Sequence, residues 1–319
     1  MRLAILDDVH DAYRRTEGYA RIASKAEVEV FTNSFGDIEA LRGFDALLAN
    51  RERTKFTAEL LGQLSGLGIK LIIQTGGHAN HIDLPAAEAN GITIAKASGG
   101  SSSGAAELAI GLMIAVMRQV PACDAAVRRG EWPAPLGLQL RGKTLGIVGL
   151  GGVGKQVAAI AHVCGMRLLA WGPRLTAEAA RAENCELRAL DDVLRESDVV
   201  SIHAALNPTS RGLIDERRLA LLKPTAFFIN TARGAIVDQD ALARLLAEGR
   251  IAGAGLDVFD PHEPLPPDHP FTKLPNVVLT PHIGYPTDVG YERFSTAAAD
   301  VLDAYLAGRD FPRFSAPSP

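Results

Sequence analysis

Short apolar runs separated by stretches of helical period organise the first third of the chain. Residues 3–6, 28–31, 46–49 and 71–74 are such runs, and segments such as 57–64 supply helices between them. Strands alternating with helices predict parallel β-α-β units, because a parallel strand needs a long crossover to return to the same edge. A Gly/Ser-rich stretch, residues 98–104, interrupts the pattern and reads as a hinge and as a helix N-terminal cap. The segment after it, 105–120, is nearly all apolar. A helix apolar all round is expected to be buried on most sides, between domains or between subunits. Pro133 and Pro135 mark a loop. From Lys143 the alternation restarts in six runs: 145–148, 168–171, 199–203, 227–230, 253–258 and 277–279. Six parallel strands with crossover helices predict a complete doubly wound nucleotide-binding domain. A final helix is expected over residues 289–307.

Composition narrows the class. A chain of 319 residues is long for one core and sufficient for two. With 47% hydrophobic and 22% charged residues and a formal net charge of −4, it carries no nucleic-acid or membrane footprint. Three widely spaced cysteines, Cys123, Cys164 and Cys185, show no metal-ligand pattern, so reduced thiols in a cytoplasmic setting are expected. The N-terminus reaches Asp7 and Asp8 too soon for a signal peptide, and the longest apolar run, 108–117, is too short for a bilayer.

The first motif with chemistry is Gly149-Leu150-Gly151-Gly152-Val153-Gly154, which fits G-x-G-x-x-G after an apolar strand and opens a helix running to about Cys164. Gly149 permits the tight turn, Gly151 lets backbone approach a pyrophosphate, and Gly154 lets helix pack on strand. The helix start then offers N–H groups and a positive dipole end to the phosphates. Dinucleotide binding follows from that context. The acidic residue that normally ends the next strand and accepts bonds from the adenosine ribose is missing: the strand runs into Gly172-Pro173-Arg174. Its absence removes a repulsion towards the 2′-phosphate of NADP, and Arg174 offers an attraction, although a plain surface arginine is an equal reading. NADP tolerance or preference is the expectation.

Three charged residues follow strands of the second domain: Arg233 in Thr231-Ala232-Arg233-Gly234, Glu263 after Leu256-Asp257-Val258-Phe259, and His282 after Thr280-Pro281. Ligands of open α/β sheets bind beyond the carboxyl ends of strands, so these positions converge. Together with the glycine turn, this ordered set resembles the D-isomer-specific 2-hydroxyacid dehydrogenase family, over essentially the whole chain. The resemblance implies that Arg233 holds a substrate carboxylate and that His282 passes a proton to and from the carbonyl oxygen. Glu263 would orient His282 and favour its imidazolium. One residue more than the family spacing separates Asp257 from Glu263-Pro264, which leaves Asp260 as the alternative acid and His262 as an unassigned neighbour.

Further implications of the resemblance are softer. Thr231, Ala232, Asp257 and Gly284 match positions on the nicotinamide side, and His203, Ala204 and the residues to Leu206 match the adenosine side. Thr75-Gly76-Gly77-His78 resembles the loop whose backbone N–H groups take the substrate carboxylate, and Arg51 of Arg51-Glu52-Arg53 follows a strand end within reach of it. For the charged trio a solvated loop is the competing reading. His78 and His81 lack a third ligand, so no metal site is expected. The implied fold is α/β, two doubly wound parallel-sheet (Rossmann/flavodoxin-like) domains with a cleft between them. Residues 1–98 with 286–319 form the substrate domain, and 99–285 the inserted dinucleotide-binding domain. The implied activity is NAD(P)-dependent oxidoreduction of a small 2-oxo or 2-hydroxy acid by a homodimer with no nucleic-acid or membrane partner. A corepressor-like NAD(P) sensor is the alternative on the same fold, but a sensor needs no proton donor. Formate or phosphite oxidation fits the His–Glu pair less well. Only ten residues follow Arg309, so an appended regulatory domain, and with it an amino-acid-regulated phosphoglycerate dehydrogenase, is not expected.

Overall fold

The computed structural model of the chain describes residues 1–100 and 102–316. The backbone divides into two units, Met1–Ser101 with Pro286–Pro319, and Ser102–Tyr285. The first unit runs β1 (Arg2–Ile5), α1 (Glu17–Ala23), β2 (Glu27–Val30), β3 (Ala46–Ala49), α2 (Ala58–Gly66), β4 (Leu71–Thr75), α3 (Leu84–Ala89) and β5 (Thr93–Ala97). The second begins with α4 (Ser102–Met117), α5 (Val120–Arg128), β6 (Thr144–Val148), α6 (Gly152–Val163), β7 (Arg167–Trp171) and α7 (Ala177–Ala182). It continues with β8 (Glu186–Leu187), α8 (Leu190–Glu196), β9 (Val199–Ile202), α9 (Glu216–Leu219), β10 (Phe227–Asn230), α10 (Gln239–Ala247), β11 (Gly253–Leu256) and β12 (Val277–Leu279). The chain then returns to the first unit as α11 (Asp288–Leu306).

The first sheet has the order β2-β1-β3-β4-β5 with every pairing parallel. Helices on both faces explain why β3 and β4 are buried along their whole length and read as unbroken apolar runs. α11 is held against α1 by the absence of a side chain at Gly18, where a Cβ would collide with the backbone of Ser295. Helix starts follow the expected chemistry: Thr57 accepts from Leu60 N–H and Asp238 from Ala241 N–H, each worth about 1 kcal/mol. The helix that follows the Gly/Ser stretch starts at Ser102, and the cap position before it, Ser101, lies outside the described residues.

The second sheet is parallel in the order β12-β11-β10-β9-β6-β7-β8. Its seven strands exceed the six expected, because β8 is only two residues long and pairs with β7 at the edge. β5 is likewise not among the expected runs, since Thr93 and Lys96 interrupt its apolar pattern.

The apolar segment 105–120 needs two corrections. It is two helices, broken at Gln119 with φ 53°. A continuous helix would drive the ring of Pro121 into the carbonyl of Met117, where α4 ends. Nor is α4 covered only by another domain or subunit. Its Ala109, Leu112, Met113 and Val116 face packs into the core of its own unit with Leu145, Ile147, Val157, Phe227 and Ile229, leaving Glu107, Gly111, Ile114 and Arg118 exposed. Leu112 and Val116 fit because β11 presents Gly255 and Gly253 to them. Among the described residues no single helix is long and apolar enough to cross a membrane.

Candidate active site

β6 delivers the chain into the glycine turn. Gly149 has φ 103°, its N–H donates to Trp171 O at 2.8 Å, and a Cβ there would stand 2.6 Å from Ala204 N. At Gly154 a Cβ would collide with the Gly149 carbonyl, so α6 lies directly on the end of β6 only as glycine. Gly151 has open space where its side chain would be, and no side chain caps α6. An unclaimed set of N–H groups at a helix start beneath an open glycine surface fits the pyrophosphate of a dinucleotide. Val153 packs under the turn, and Gly152 faces Ser102.

At the end of β7 the segment Gly172-Pro173-Arg174 turns back, with Leu175 N–H donating to Gly172 O at 3.2 Å. Pro173 and Arg174 are exposed, and residues 172–176 carry no carboxylate. Beyond β9, His203 Nε2 meets Ser201 Oγ at 2.8 Å, and burial pushes the ring down to about 4, so the imidazole here is neutral.

A Gly154→Ala variant tests the turn. The added methyl forces α6 off β6 at a cost of about 1–3 kcal/mol and displaces the N–H cradle. NADPH titration by fluorescence is expected to show affinity reduced about tenfold or more. Unchanged affinity would place the pyrophosphate elsewhere.

The charged residues lie on the ends of three adjacent strands. After β10, Asn230 shapes the turn: its Oδ1 accepts from Ala232 N–H at 3.0 Å and its Nδ2 donates to Arg233 O at 3.1 Å. Arg233 Nη1 donates to Ala232 O at 2.6 Å, and Thr231 is buried beside Ala105 O. Gly234 allows this turn to touch the one after β11, since a Cβ would collide with Phe259.

After β11, Asp257 is fully buried and accepts three hydrogen bonds. They come from Thr280 Oγ1 at 2.6 Å, Ile283 N–H at 2.8 Å and Gly284 N–H at 3.0 Å. Burial raises its carboxyl above the ordinary range, and these bonds oppose the rise. Asp257, expected among the nicotinamide-side residues, also tethers the loop that carries His282. Gln239, which the sequence did not single out, holds the turn after β11 instead, donating to Val258 O and accepting from Asp260 N–H, both at 3.3 Å. For Asp257 the available signal was a lone acid at the end of an apolar strand, since a buried carboxylate must find donors.

His282 sits in that loop at φ 56°, with Nδ1 2.7 Å from Glu263 Oε2. Glu263 Oε1 accepts from Phe259 N–H at 2.8 Å. Its partial burial pushes the carboxyl up, but the His282 bond and charge, the Phe259 N–H and the Arg233 charge outweigh it and hold it below the ordinary range. A carboxylate at Nδ1 assigns one proton there and leaves Nε2 as the nitrogen that can gain or lose the other. The acid beside His282 is therefore Glu263. Asp260 lies 3.7 Å from Arg211 instead.

In the first unit Arg51 leaves β3 at φ 59° and its guanidinium crosses Gly76, itself at φ 100°. Glu52 lies 3.5 Å from Arg51 and 2.9 Å from His78, so these two members of the charged trio are joined to the glycine loop, while Arg53 is exposed. At Gly77 a Cβ would meet nothing within 4 Å, which leaves the backbone approachable.

The sequence of the D-isomer-specific 2-hydroxyacid dehydrogenase NAD-binding domain matches residues 110–284. The chain is 39% identical to a glyoxylate reductase of Thermofilum pendens over 84% of this chain and 80% of that one. It is 34% identical to a D-3-phosphoglycerate dehydrogenase of Methanocaldococcus jannaschii over 97% of this chain, but spans only 58% of that protein's length. A crystal structure of a phosphoglycerate oxidoreductase from Vibrio cholerae O395 superposes with a TM-score of 0.89 at 35% identity, covering 97% of this chain and 99% of that one. The glycine turn and the strand-end residues thus sit in a known framework, and this chain belongs to the D-isomer-specific 2-hydroxyacid dehydrogenase family.

Proposed function

We propose that the chain reduces small 2-oxo acids to 2-hydroxy acids, and catalyses the reverse oxidation, with a nicotinamide dinucleotide. The observation that carries this reading is the His282 Nδ1–Glu263 Oε2 contact of 2.7 Å at the end of the strand next to that of Arg233's neighbour β11. The bound nicotinamide supplies or accepts the hydride. Arg233 pairs its two-pronged guanidinium with the substrate carboxylate. In reduction His282 gives its Nε2 proton to the carbonyl oxygen as C2 takes the hydride; in oxidation Nε2 takes the hydroxyl proton back. Glu263 stays ionised throughout and steadies the imidazolium. Arg51 and the Gly77 amide are further groups for the substrate carboxylate; the Gly76 N–H, expected to share that role, is instead given to Ala97 O at 3.0 Å. The glycine turn holds the pyrophosphate. The missing carboxylate after β7 and the exposed Arg174 favour acceptance of NADPH.

The test is oxidation of NADPH and of NADH by the purified protein with glyoxylate, hydroxypyruvate and a bulkier 2-oxo acid. Turnover on at least one acid is expected, with NADPH used at least as well as NADH. Tight cofactor binding without turnover would favour a sensor, and a strong preference for NADH would overturn the role given to Gly172 and Arg174.

A further inference from the structure

Three adjacent strands of the first sheet, β1, β3 and β4, are followed by left-handed residues: Asp7 at φ 59°, Arg51 at φ 59° and Gly76 at φ 100°. Glycine adopts this conformation without strain, whereas an arginine must be held in it. Side chains of β4 hold it there. Arg51 N–H donates to Thr75 Oγ1 at 3.0 Å, and Thr75 Oγ1 donates to Ala49 O at 3.0 Å. On the other side, Gln74 Nε2 donates to Arg51 O at 2.9 Å and to Thr75 O at 2.8 Å. Gln74 is fully buried, and with both amide hydrogens committed to carbonyls its Oε1 must face His81 Nε2, 3.2 Å away. His81 therefore donates from Nε2. Burial pushes its ring down to about 4 against the opposing pull of Glu52, so the neutral tautomer that donates there is the one present at neutral pH.

Both peptide groups of Arg51 are thus pinned by side chains from β4 and its exit. The result is visible at the guanidinium, which lies so close over Gly76 that a Cβ there would stand 3.3 Å from Arg51 Cζ. We propose that Gln74 and His81 are positioning residues for substrate binding, which act through the Arg51 carbonyl to set the backbone that lays the guanidinium over the glycine loop. The proposal rests on the reading of Arg51 as a group for the substrate carboxylate.

The experiment measures KM and kcat for glyoxylate, or for the best 2-oxo acid, together with cofactor affinity and thermal midpoint, in Arg51→Ala, Gln74→Met, His81→Leu and His81→Gln. Arg51→Ala is expected to raise KM about tenfold or more. Gln74→Met keeps the length of the side chain but loses both donors, and His81→Leu loses the ring donor. Each is expected to raise KM about threefold to tenfold, with kcat and cofactor affinity little changed. His81→Gln places an amide nitrogen where Nε2 stood and is expected to restore KM. Adding Gln74→Met to Arg51→Ala is expected to raise KM no further, since both act through one group. Should Gln74→Met fail to fold, the two His81 variants decide the matter. A fall in thermal midpoint with unchanged KM in Gln74→Met and His81→Leu, while Arg51→Ala raises KM, would reduce the brace to a structural one and overturn the proposal. Unchanged KM in Arg51→Ala would instead remove Arg51 from the substrate site, and the proposal with it.

Discussion

Replacing His282 by asparagine is expected to lower kcat for 2-oxo acid reduction by about 10²–10⁴, the usual worth of a positioned general acid. Asparagine is the informative choice because His282 sits at φ 56°, a conformation that asparagine tolerates better than most side chains. Its amide nitrogen also keeps a donor towards Glu263 Oε2, now 2.7 Å from Nδ1, while nothing replaces the Nε2 proton. Cofactor affinity and thermal midpoint should stay near those of the unaltered chain. A kcat within about threefold of it would show that another group protonates the carbonyl. The pH profile supplies a second readout. Reduction needs imidazolium and weakens as pH rises; oxidation needs the neutral ring and strengthens. Glu263, held below the ordinary carboxylate range, is ionised at neutral pH. In Glu263→Gln the reductive kcat should fall, because the ring loses the carboxylate that fixes its orientation through Nδ1. The stability sign runs the other way in acid: the depressed carboxyl contributes stability above its unfolded pKa, and that contribution fades as pH falls through the folded value.

Runs buried over their full length were legible. β3 and β10 have the expected bounds because both faces are covered and every residue is apolar or ends a strand. β5 and β8 were not, since Lys96 breaks the run in one and the other is a two-residue edge. The break between α4 and α5 was written in Pro121, whose ring cannot follow a helical turn that includes Met117. At the site, Arg233, Glu263 and His282 stood out because each lies in the segment that follows a strand of the second sheet. The groups that hold them did not. The three donors to Asp257 lie 23, 26 and 27 residues away, and Gln74 reaches Arg51 across 23. No local pattern encodes such pairings; they exist only once adjacent parallel strands have brought their carboxyl ends together.

The second large effect is expected at Arg233. Removing one partner of a hydrogen-bonded charge pair costs about 2–5 kcal/mol, which corresponds to a fall in kcat/KM of about 30-fold to several thousandfold for Arg233→Ala. The turn that presents the side chain should survive, because Asn230 organises it through the backbone of Ala232 and Arg233 rather than through the guanidinium. Arg233→Lys keeps the charge but supplies a point donor where a planar fork is needed, so only part of the loss should be recovered. The discriminating comparison is between a 2-oxo acid and an uncharged carbonyl compound of similar size. The unaltered chain is expected to prefer the acid strongly, and Arg233→Ala should erase that preference while leaving the weak turnover of the uncharged compound nearly as it was. Equal losses on both compounds would mean that Arg233 acts on the chemistry itself, through its charge on the nearby Glu263, and not as the carboxylate ligand.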